Sequence, residues 1–299
     1  MGAERLVDNR AVSTAASTLT RNQTVVCAYH GVEDPDSFEQ HLRWLLASRK
    51  PLDLATFEQM VLFGRAPDEP SFFITFDDGR RSVYERGLPV LQRLGVPAAL
   101  FVITDLIDGS EPFWWDEVEQ LSDAGGRTSV VDASGVQLVR ELKRVPDHER
   151  RRAISELRNS ASRPAEPYAH LTADEVRELH HGGVAIASHS ATHPCLDQCT
   201  SDDILDELTR SRRTLEEILD EPVRSVAYPN GNVDDRVVDL ARRAGYTVGF
   251  AFDHKLTAMP TDGTMLVSRV RVDTRDEPSY FSSVCSGVRP AIHHLRGLP

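Results

Sequence analysis

A regular alternation of short apolar segments with segments of helical apolar spacing is the feature that most constrains the fold. Seven short runs are rich in β-branched or aromatic residues, at 24–29, 71–76, 97–103, 184–188, 223–228, 246–252 and 265–272. Between most of them, apolar residues recur every three or four positions, at 37–47, 82–94, 172–181, 201–219 and 233–244. This order predicts an α/β fold with a parallel sheet. The nearly uniform apolar runs SFFITF and PAALFVI are typical of strands that are covered on both faces.

The segment 105–170 interrupts the alternation. It contains FWWDEVEQL, a Gly/Ser-rich piece and an Arg-rich helical stretch, so we predict an insertion into a barrel-like frame. Residues 1–22 are charged and rich in Ser, Thr and Ala without sustained periodicity, which predicts a flexible N-terminal tail. The remaining residues, 23–299, then form a single catalytic domain.

Charge and composition exclude several classes of protein. The 299-residue chain carries a formal net charge of -12, which argues against non-specific binding to nucleic acid or anionic lipid. No apolar run approaches the roughly 18 residues needed for a transmembrane helix, and the first residues have no apolar core of a signal peptide. The four cysteines form no CxxC pair. We therefore expect a soluble, cytoplasmic protein with no membrane span and no nucleic-acid partner.

Chemically reactive side chains occur where the predicted strands end. They are His30, Asp77, Asp78, His189, Tyr228, Asn230, Asp253 and His254. The carboxyl ends of parallel strands share one edge of the sheet, and ligand sites of such folds lie on the loops that follow them. The sequence therefore predicts a single site on this rim. His30 is its weakest member, because a lone histidine beside a strand end is more often structural.

Two short motifs on the rim predict a metal site. The adjacent carboxylates Asp77 and Asp78 raise each other's pKa unless a positive group is close. His189 and His193 are four residues apart, so on one helical turn their imidazoles would face the same way and could hold a divalent cation. One aspartate would complete the ligand set, and the other would be placed to take a proton from water. Zinc is the default ion, although cobalt, nickel, manganese and iron also suit these ligands.

Other interpretations of these segments are weaker. A structural zinc site built from His189, His193, Cys195 and Cys199 would crowd four ligands into one short segment. The GxSxG elbow of serine hydrolases and the P-loop and Rossmann glycine patterns are absent from the sequence. The Arg-rich stretch 139–158 is diluted by acidic residues, which favours a solvated helix face over a phosphate site for an anionic substrate.

At these motifs the chain resembles the polysaccharide deacetylase family, also called carbohydrate esterase family four or NodB-like, and most of all its poly-N-acetylglucosamine deacetylase branch. The family motif TFDDG occurs at 75–79, and the motif H-[ST]-x-x-H occurs at 189–193. The resemblance covers roughly residues 24–275 and implies a distorted (β/α)7-type barrel. It also implies that Asp77 is the general base and that Asp78, His189 and His193 hold one divalent metal ion.

The chain departs from the family pattern in two places. The third family motif usually begins with an arginine that steadies the base, but Ala227 occupies that position in AYPNG. The turn itself is kept, so the backbone N–H of Asn230 is the expected oxyanion donor. The late histidine that serves the family as general acid has no counterpart, because the last strand, MLVSRVRVD, offers Arg269 and Arg271 instead. Proton return is therefore open among Asp77, His30, Asp253 and His254.

The residues expected to bind substrate are Trp115, Tyr228, Pro229 and Arg269. The tandem Trp114 and Trp115 could stack on a sugar ring or anchor the insertion to the core. The expected function is metal-dependent removal of an N-acetyl group from a small N-acetylated sugar or sugar-containing biosynthetic intermediate. The alternatives are a catalytically impaired carbohydrate-binding module of the same fold and a hydrolase of a non-sugar amide or imide. The sequence does not indicate an oligomeric state.

Overall fold

A curled, mostly parallel β-sheet organises the computed structural model, which describes residues 23–261 and 263–290. Its strands are β1 (Gln23–Tyr29), β2 (Lys50–Pro51), β3 (Ser71–Phe76), β4 (Ala98–Val102), β5 (Val184–Ser188), β6 (Ser225–Ala227), β7 (Val248–Phe250), β8 (Thr257–Ala258) and β9 (Val270–Arg271). Their order is β7-β6-β5-β4-β3-β1-β8, with β2 paired to β3 and β9 paired to β1. All pairings are parallel except that of β1 with β8. The predicted tail at 1–22 lies outside the described residues.

The segment that ends in β9 connects the two sides of the curled sheet. Val267 forms an isolated parallel bridge with Phe250 of β7, and β9 pairs in parallel with Cys27 and Ala28 of β1. The prediction of an α/β fold with a distorted (β/α)7-type barrel is confirmed. The strand predicted at 265–272 is shorter than expected. β2 and β8 were not predicted, because two residues are too few to show a periodicity.

Helices cover the outside of the sheet. They are α1 (Pro35–Leu46), α2 (Leu54–Leu62), α3 (Leu88–Leu94), α4 (Trp114–Asp123), α5 (Gly135–Leu142), α6 (Asp147–Ser160), α7 (Ala173–His181), α8 (Ser201–Leu219), α9 (Asp235–Arg243) and α10 (Pro278–Cys285). A π-helical turn, Val83–Gly87, precedes α3. Thr172 and Glu175 form a capping box at the start of α7, which satisfies two of the free backbone N–H groups there. The sequence analysis predicted neither α2 nor α10.

The predicted insertion consists of α4, α5 and α6. These helices share an apolar cluster of their own, which includes Val118, Leu138 and Leu157 and is separate from the two clusters that pack on the sheet. Trp114 belongs to this cluster and donates its indole N–H to the carbonyl of His193, at 3.0 Å. The insertion is thereby fixed against the loop that carries the second motif. Among the described residues, no helix is both long and apolar enough to cross a membrane.

Candidate active site

The two adjacent aspartates lie at the carboxyl end of β3, a strand whose six residues are all buried. The backbone N–H of Asp77 donates to the carbonyl of Tyr29 on the neighbouring strand, at 2.9 Å. The chain then turns sharply, with φ values of 73° at Asp78 and 76° at Gly79. A Cβ at Gly79 would lie 3.1 Å from the side chain of Val102, so the turn requires glycine both for its conformation and for space. Both carboxylates are therefore fixed in nearly full burial.

Arg269 is the positive partner of Asp77. Its guanidinium is 0% exposed and donates two hydrogen bonds to the carboxylate, at 2.7 and 2.9 Å. The guanidinium also donates to the carbonyl of Ala251, at 2.9 Å, and to the hydroxyl of Thr75, at 3.2 Å. Burial alone would raise the pKa of Asp77, but the charge and hydrogen bonds of Arg269 outweigh burial, and the pKa lies below its ordinary value. Asp77 is thus an ionised, fully oriented carboxylate.

His189 and His193 lie close together, but not on a helical turn as the sequence analysis assumed. They are on a loop after β5 in which Ser190 and His193 have positive φ values of 63° and 59°. The ring centroids are 4.8 Å apart, and the hydroxyl of Ser190 accepts from the N–H of His193, at 3.0 Å. The four-residue spacing is therefore correct for convergence, but a strained loop produces it rather than helical periodicity.

Glu207 of α8 fixes this loop from behind, a role that the sequence analysis missed. One carboxylate oxygen accepts from the backbone N–H groups of Ala191 and Thr192, at 3.0 and 2.8 Å, and the other accepts from the Thr192 hydroxyl at 2.7 Å. Three donors are thus satisfied by a single buried side chain, which offsets the cost of the positive φ values. A lone glutamate within a helical pattern gave no signal, because its partner loop is identified only in three dimensions.

Asp78, His189 and His193 form a group that fits a divalent metal ion. One ligand atom from each residue lies within 4.8 Å of the others, and the Asp78 carboxylate is 3.5 and 3.6 Å from the two Nε2 atoms. The Nδ1 of His189 donates to the carbonyl of Ala227 at 2.8 Å, which fixes the orientation of the ring and leaves its Nε2 free to coordinate a metal ion.

The charge states of His193 and Asp78 also suit coordination. Burial and the neighbouring His189 lower the pKa of His193 to about 3, so its ring is neutral at ordinary pH. Burial would raise the pKa of Asp78, but its hydrogen bond to His189 and the nearby histidines lower it overall, which keeps the carboxylate ionised. A neutral imidazole and an ionised carboxylate are the forms that bind a cation.

These groups line a cavity of about 470 Å³. His30, Trp115 and Asn230 also line it, as do Lys143 and Phe252, which the sequence analysis did not single out. The ring of Trp115 lies 4.7 Å from that of His193. The site therefore combines residues from the strand ends with residues from the insertion.

Three of the predicted substrate-binding residues do not line the cavity. The predicted substrate contact of Arg269 is not supported, because its guanidinium is buried and donates to Asp77. Tyr228 is also 0% exposed, and Pro229 is buried beside it, so their side chains support the turn behind the site instead. Of the four, Trp115 alone lines the cavity, and its role there stays a prediction.

Asp253 and His254 are not among the residues that line the cavity. The Asp253 carboxylate accepts from the hydroxyl of Ser268 at 2.9 Å and lies 3.4 Å from the ammonium of Lys255. Cys195 and Cys199 are buried and lie outside the group of potential metal ligands, which among the described residues consists of Asp78, His189 and His193. The structural zinc interpretation is therefore not supported.

Comparison with known proteins places this geometry in context. The family model described as polysaccharide deacetylase matches residues 64–130 and 152–249. A poly-β-1,6-N-acetyl-D-glucosamine N-deacetylase of Staphylococcus aureus (strain N315) is 22% identical over 236 residues, which cover 79% of this chain and 66% of that protein. The chain thus spans slightly under two thirds of the length of that relative.

Solved structures share the fold. The deacetylase PplD of Streptococcus pyogenes, in complex with acetate, superposes with a TM-score of 0.61 at 18% identity, over 89% of this chain and 98% of that one. IcaB from Ammonifex degensii superposes with a TM-score of 0.62 at 16% identity, over 89% of this chain and 96% of that one. At these identities the likeness concerns the fold alone.

Proposed function

The chain belongs to the polysaccharide deacetylase family, and from this premise we propose that it is a metal-dependent hydrolase that removes an N-acetyl group from an N-acetylated saccharide. One observation carries the proposal: an ionised aspartate that is fixed by a buried arginine lies beside a two-histidine, one-aspartate group at the end of one cavity. A carboxylate base next to residues that can hold a metal ion is an arrangement that supports hydrolysis of an amide.

The residues have separate roles in this proposal. Asp78, His189 and His193 would hold the metal ion, which when bound supplies Lewis-acid polarisation and lowers the pKa of water. Asp77 takes the proton from the attacking water. Its bidentate contact with Arg269 holds the carboxylate in one orientation and keeps it ionised, so that no reorganisation is needed when water approaches.

Arg269 also explains how the family motif can lack its arginine. The motif position is occupied by Ala227, yet the base still has a guanidinium partner, supplied by the residue just before β9, in the segment that bridges to β7 and pairs with β1. The base therefore keeps an arginine partner, at position 269 instead of position 227. Ala227 therefore does not leave the base without a cationic partner, because Arg269 pairs with Asp77.

Oxyanion stabilisation is assigned to the backbone N–H of Asn230. Asn230 has a positive φ of 56° within the Pro229–Gly231 turn, and its side-chain carbonyl accepts from the Lys143 ammonium at 2.6 Å. Both features hold the peptide in one orientation beside the cavity. Loss of a single preorganised donor of this kind costs roughly 3 kcal/mol of transition-state stabilisation.

Return of the proton to the departing amine is assigned to Asp77 or His30. Asp77 carries the proton after the first step, and the ring of His30 lines the same cavity, 5.8 Å from the ring of Phe252. Asp253 and His254 do not line it. The proposal therefore keeps two of the four candidates, Asp77 and His30.

The identity of the metal and the size of the substrate are finer parts of the proposal. Zinc is proposed because two imidazoles and a carboxylate suit it, and cobalt, nickel, manganese or iron are the alternatives to test. The S. aureus relative is named for a polymer substrate, so the substrate is proposed as an N-acetylated saccharide, either a polysaccharide or a smaller precursor. A cytoplasmic location stays a prediction, to be checked by cell fractionation.

The test is an acetate-release assay of metal-reconstituted protein on N-acetylated oligosaccharides, glycosides and nucleotide sugars. Asp77→Asn should lower kcat by at least about 100-fold, the usual contribution of a general base. Asp239→Asn is the matched control, since Asp239 lies on α9, is 74% exposed and is not among the residues that line the cavity, and it should retain full activity. Saccharide binding by the wild type without acetate release would instead favour a binding module, and release from a non-sugar amide alone would favour the other alternative.

A further inference from the structure

The reaction cavity contains more positive charge than the proposed chemistry uses. Arg80, Lys143 and Arg271 line it together with two carboxylates, those of Asp77 and Asp78. Asp77 is paired with Arg269, a buried residue outside the lining, and Asp78 lies among the histidines. The cavity is therefore cationic although the whole chain has a net charge of -12, which indicates a local purpose for the positive charge.

Lys143 reaches the cavity from the insertion. It follows α5 as the C-cap residue, is half-buried, and donates to the neutral side-chain carbonyl of Asn230 at 2.6 Å. Within residues 23–261 and 263–290, no carboxylate lies within 4.0 Å of its ammonium. Burial is the main cause of the lowered pKa of Lys143, and Lys143 and Arg271 line the same cavity. Lys143 also lies between the two ranges that match the family model.

Arg271 is located where the reaction cavity meets a second one. The adjoining cavity has a volume of about 320 Å³ and shares His30, Arg80 and Arg271 with the first. Its own acidic residues are already engaged: Asp273 pairs with Arg275 at 2.9 Å, and Glu33 pairs with Arg86 at 3.3 Å. Arg271 is exposed and, in the described part of the chain, has no carboxylate within ion-pair distance.

Arg80, by contrast, already has partners within the protein. Its guanidinium lies 3.8 Å from the Asp78 carboxylate and 4.8 Å from the centre of the Phe113 ring. A neutral saccharide would leave Lys143 and Arg271 without an anionic partner in the cavity that both of them line. An anionic group on the saccharide would satisfy both cations through charge-assisted hydrogen bonds, which are stronger than neutral ones.

We propose that Lys143 and Arg271 bind an anionic group, a phosphate or a carboxylate, carried by the N-acetylated saccharide next to the reacting amide. The acetylated sugar then occupies the first cavity, and the anionic group lies at the junction with the second. This inference rests on the proposed function for the identity of the substrate. The cations themselves are a property of the cavity and can be tested by binding alone.

The experiment compares three probes by calorimetry: N-acetylglucosamine, N-acetylglucosamine 1-phosphate, and a disaccharide of glucuronic acid and N-acetylglucosamine, with the glucose analogue of the disaccharide as its neutral match. Each is titrated into metal-loaded protein and again after chelation, because phosphate can also bind the metal directly. The protein variants are Lys143→Met, Arg271→Ala and Arg213→Ala. Arg213 is the matched control, since it is 80% exposed and pairs with Glu217 on α8.

We expect at least one anionic probe to bind about tenfold or more tightly than its neutral match, with and without metal, and the preference to weaken as salt rises. Lys143→Met and Arg271→Ala should each remove most of this preference, while Arg213→Ala should keep it. Comparison of the phosphate probe with the glucuronic acid probe shows which anionic group the two cations prefer. Equal affinity for neutral and anionic probes, a preference present only with metal, or one that survives both substitutions would overturn the inference.

Acetate release, measured in parallel, separates this inference from the proposed function. Release from neutral and anionic saccharides at the same kcat/KM would support the deacetylase and refute the anionic subsite. Selective anion binding that depends on both cations, without acetate release from any saccharide, would support the subsite and refute the deacetylase.

Discussion

Replacement of Arg269 by methionine is expected to destabilise the fold strongly. Methionine is unbranched and apolar, and the guanidinium it replaces lies within 5.4 to 5.9 Å of the ring centres of Phe101, Phe250 and Phe252, so the new side chain can be accommodated. The Asp77 carboxylate would remain buried without its counter-ion. Removal of one partner of a buried ion pair costs about 3 to 5 kcal/mol.

A loss of about 4 kcal/mol is a large share of the roughly 5 to 15 kcal/mol that separates folded from unfolded domains. With an unfolding entropy of about 2.1 cal/mol/K per residue, a chain of this size would lose about 6 to 7 °C in Tm. Urea unfolding followed by circular dichroism measures the free energy directly. The matched control, Arg213→Met, removes an 80% exposed arginine and should change stability by less than about 0.5 kcal/mol.

The double variant Asp77→Asn with Arg269→Met tests the cause. If the loss comes from an unpaired buried charge, neutral asparagine at residue 77 should recover a substantial part of the stability that Arg269→Met removes, and the two substitutions should be clearly non-additive. Two results would refute the reasoning: an Arg269→Met variant within about 1 kcal/mol of the wild type, or a double variant no more stable than Arg269→Met alone.

Three other predictions concern the loops around the site and the pH dependence of stability. Glu207→Gln should weaken metal binding about 10- to 100-fold, because it removes the carboxylate that fixes the loop of His189 and His193. Chelator competition measures the affinity. An unchanged affinity would show that the loop keeps its conformation without the carboxylate. Gly79→Ala should lower the free energy of unfolding more than Gly95→Ala does. Both glycines have a positive φ, but only at Gly79 would the added Cβ contact a neighbouring side chain, that of Val102. Equal losses in urea unfolding would contradict this.

The pH prediction concerns His41. Burial lowers the pKa of His41, so below the ordinary value of about 6.5 the unfolded chain binds a proton that the folded chain does not. The free energy of unfolding should therefore fall as pH falls from 7 to 5, by at most about 1.4 kcal/mol per pH unit. His41→Gln should flatten this slope, and an identical slope in the variant would exclude His41 as its source.

Much of the candidate site could be predicted from the sequence because the signals are local. The apolar run before Asp77 identifies a buried strand, and strands that alternate with helices place their carboxyl ends on one rim. The sequence therefore predicts that Asp78, His189 and His193 converge, and the structure places one potential ligand atom of each within 4.8 Å of the others. The error concerned how they converge, since i to i+4 spacing does not distinguish a helical turn from a loop with positive φ.

The positions of Arg269 and Lys143 could not be predicted from the sequence, because they depend on contacts between distant parts of the chain. Arg269 was expected to contact substrate, yet it is separated from Asp77 by 192 positions and pairs with it in the core. Lys143 lies in the stretch 139–158, whose mixed charges predict a solvated helix face. Its neighbour Arg144 does pair with Glu141 on the surface, while Lys143 turns towards the cavity.

The sequence by itself determined the alternating α/β architecture, the rim that carries the polar residues, and the aspartate and histidine motifs. These follow from periodicity and from residue chemistry, which act over a few neighbouring positions. Only the tertiary structure decided which arginine neutralises Asp77, how Glu207 shapes the histidine loop, and which cations face the cavity. Electrostatic compensation acts through space, so the partner of a buried charge is set by the packing of whole elements and not by its place in the chain.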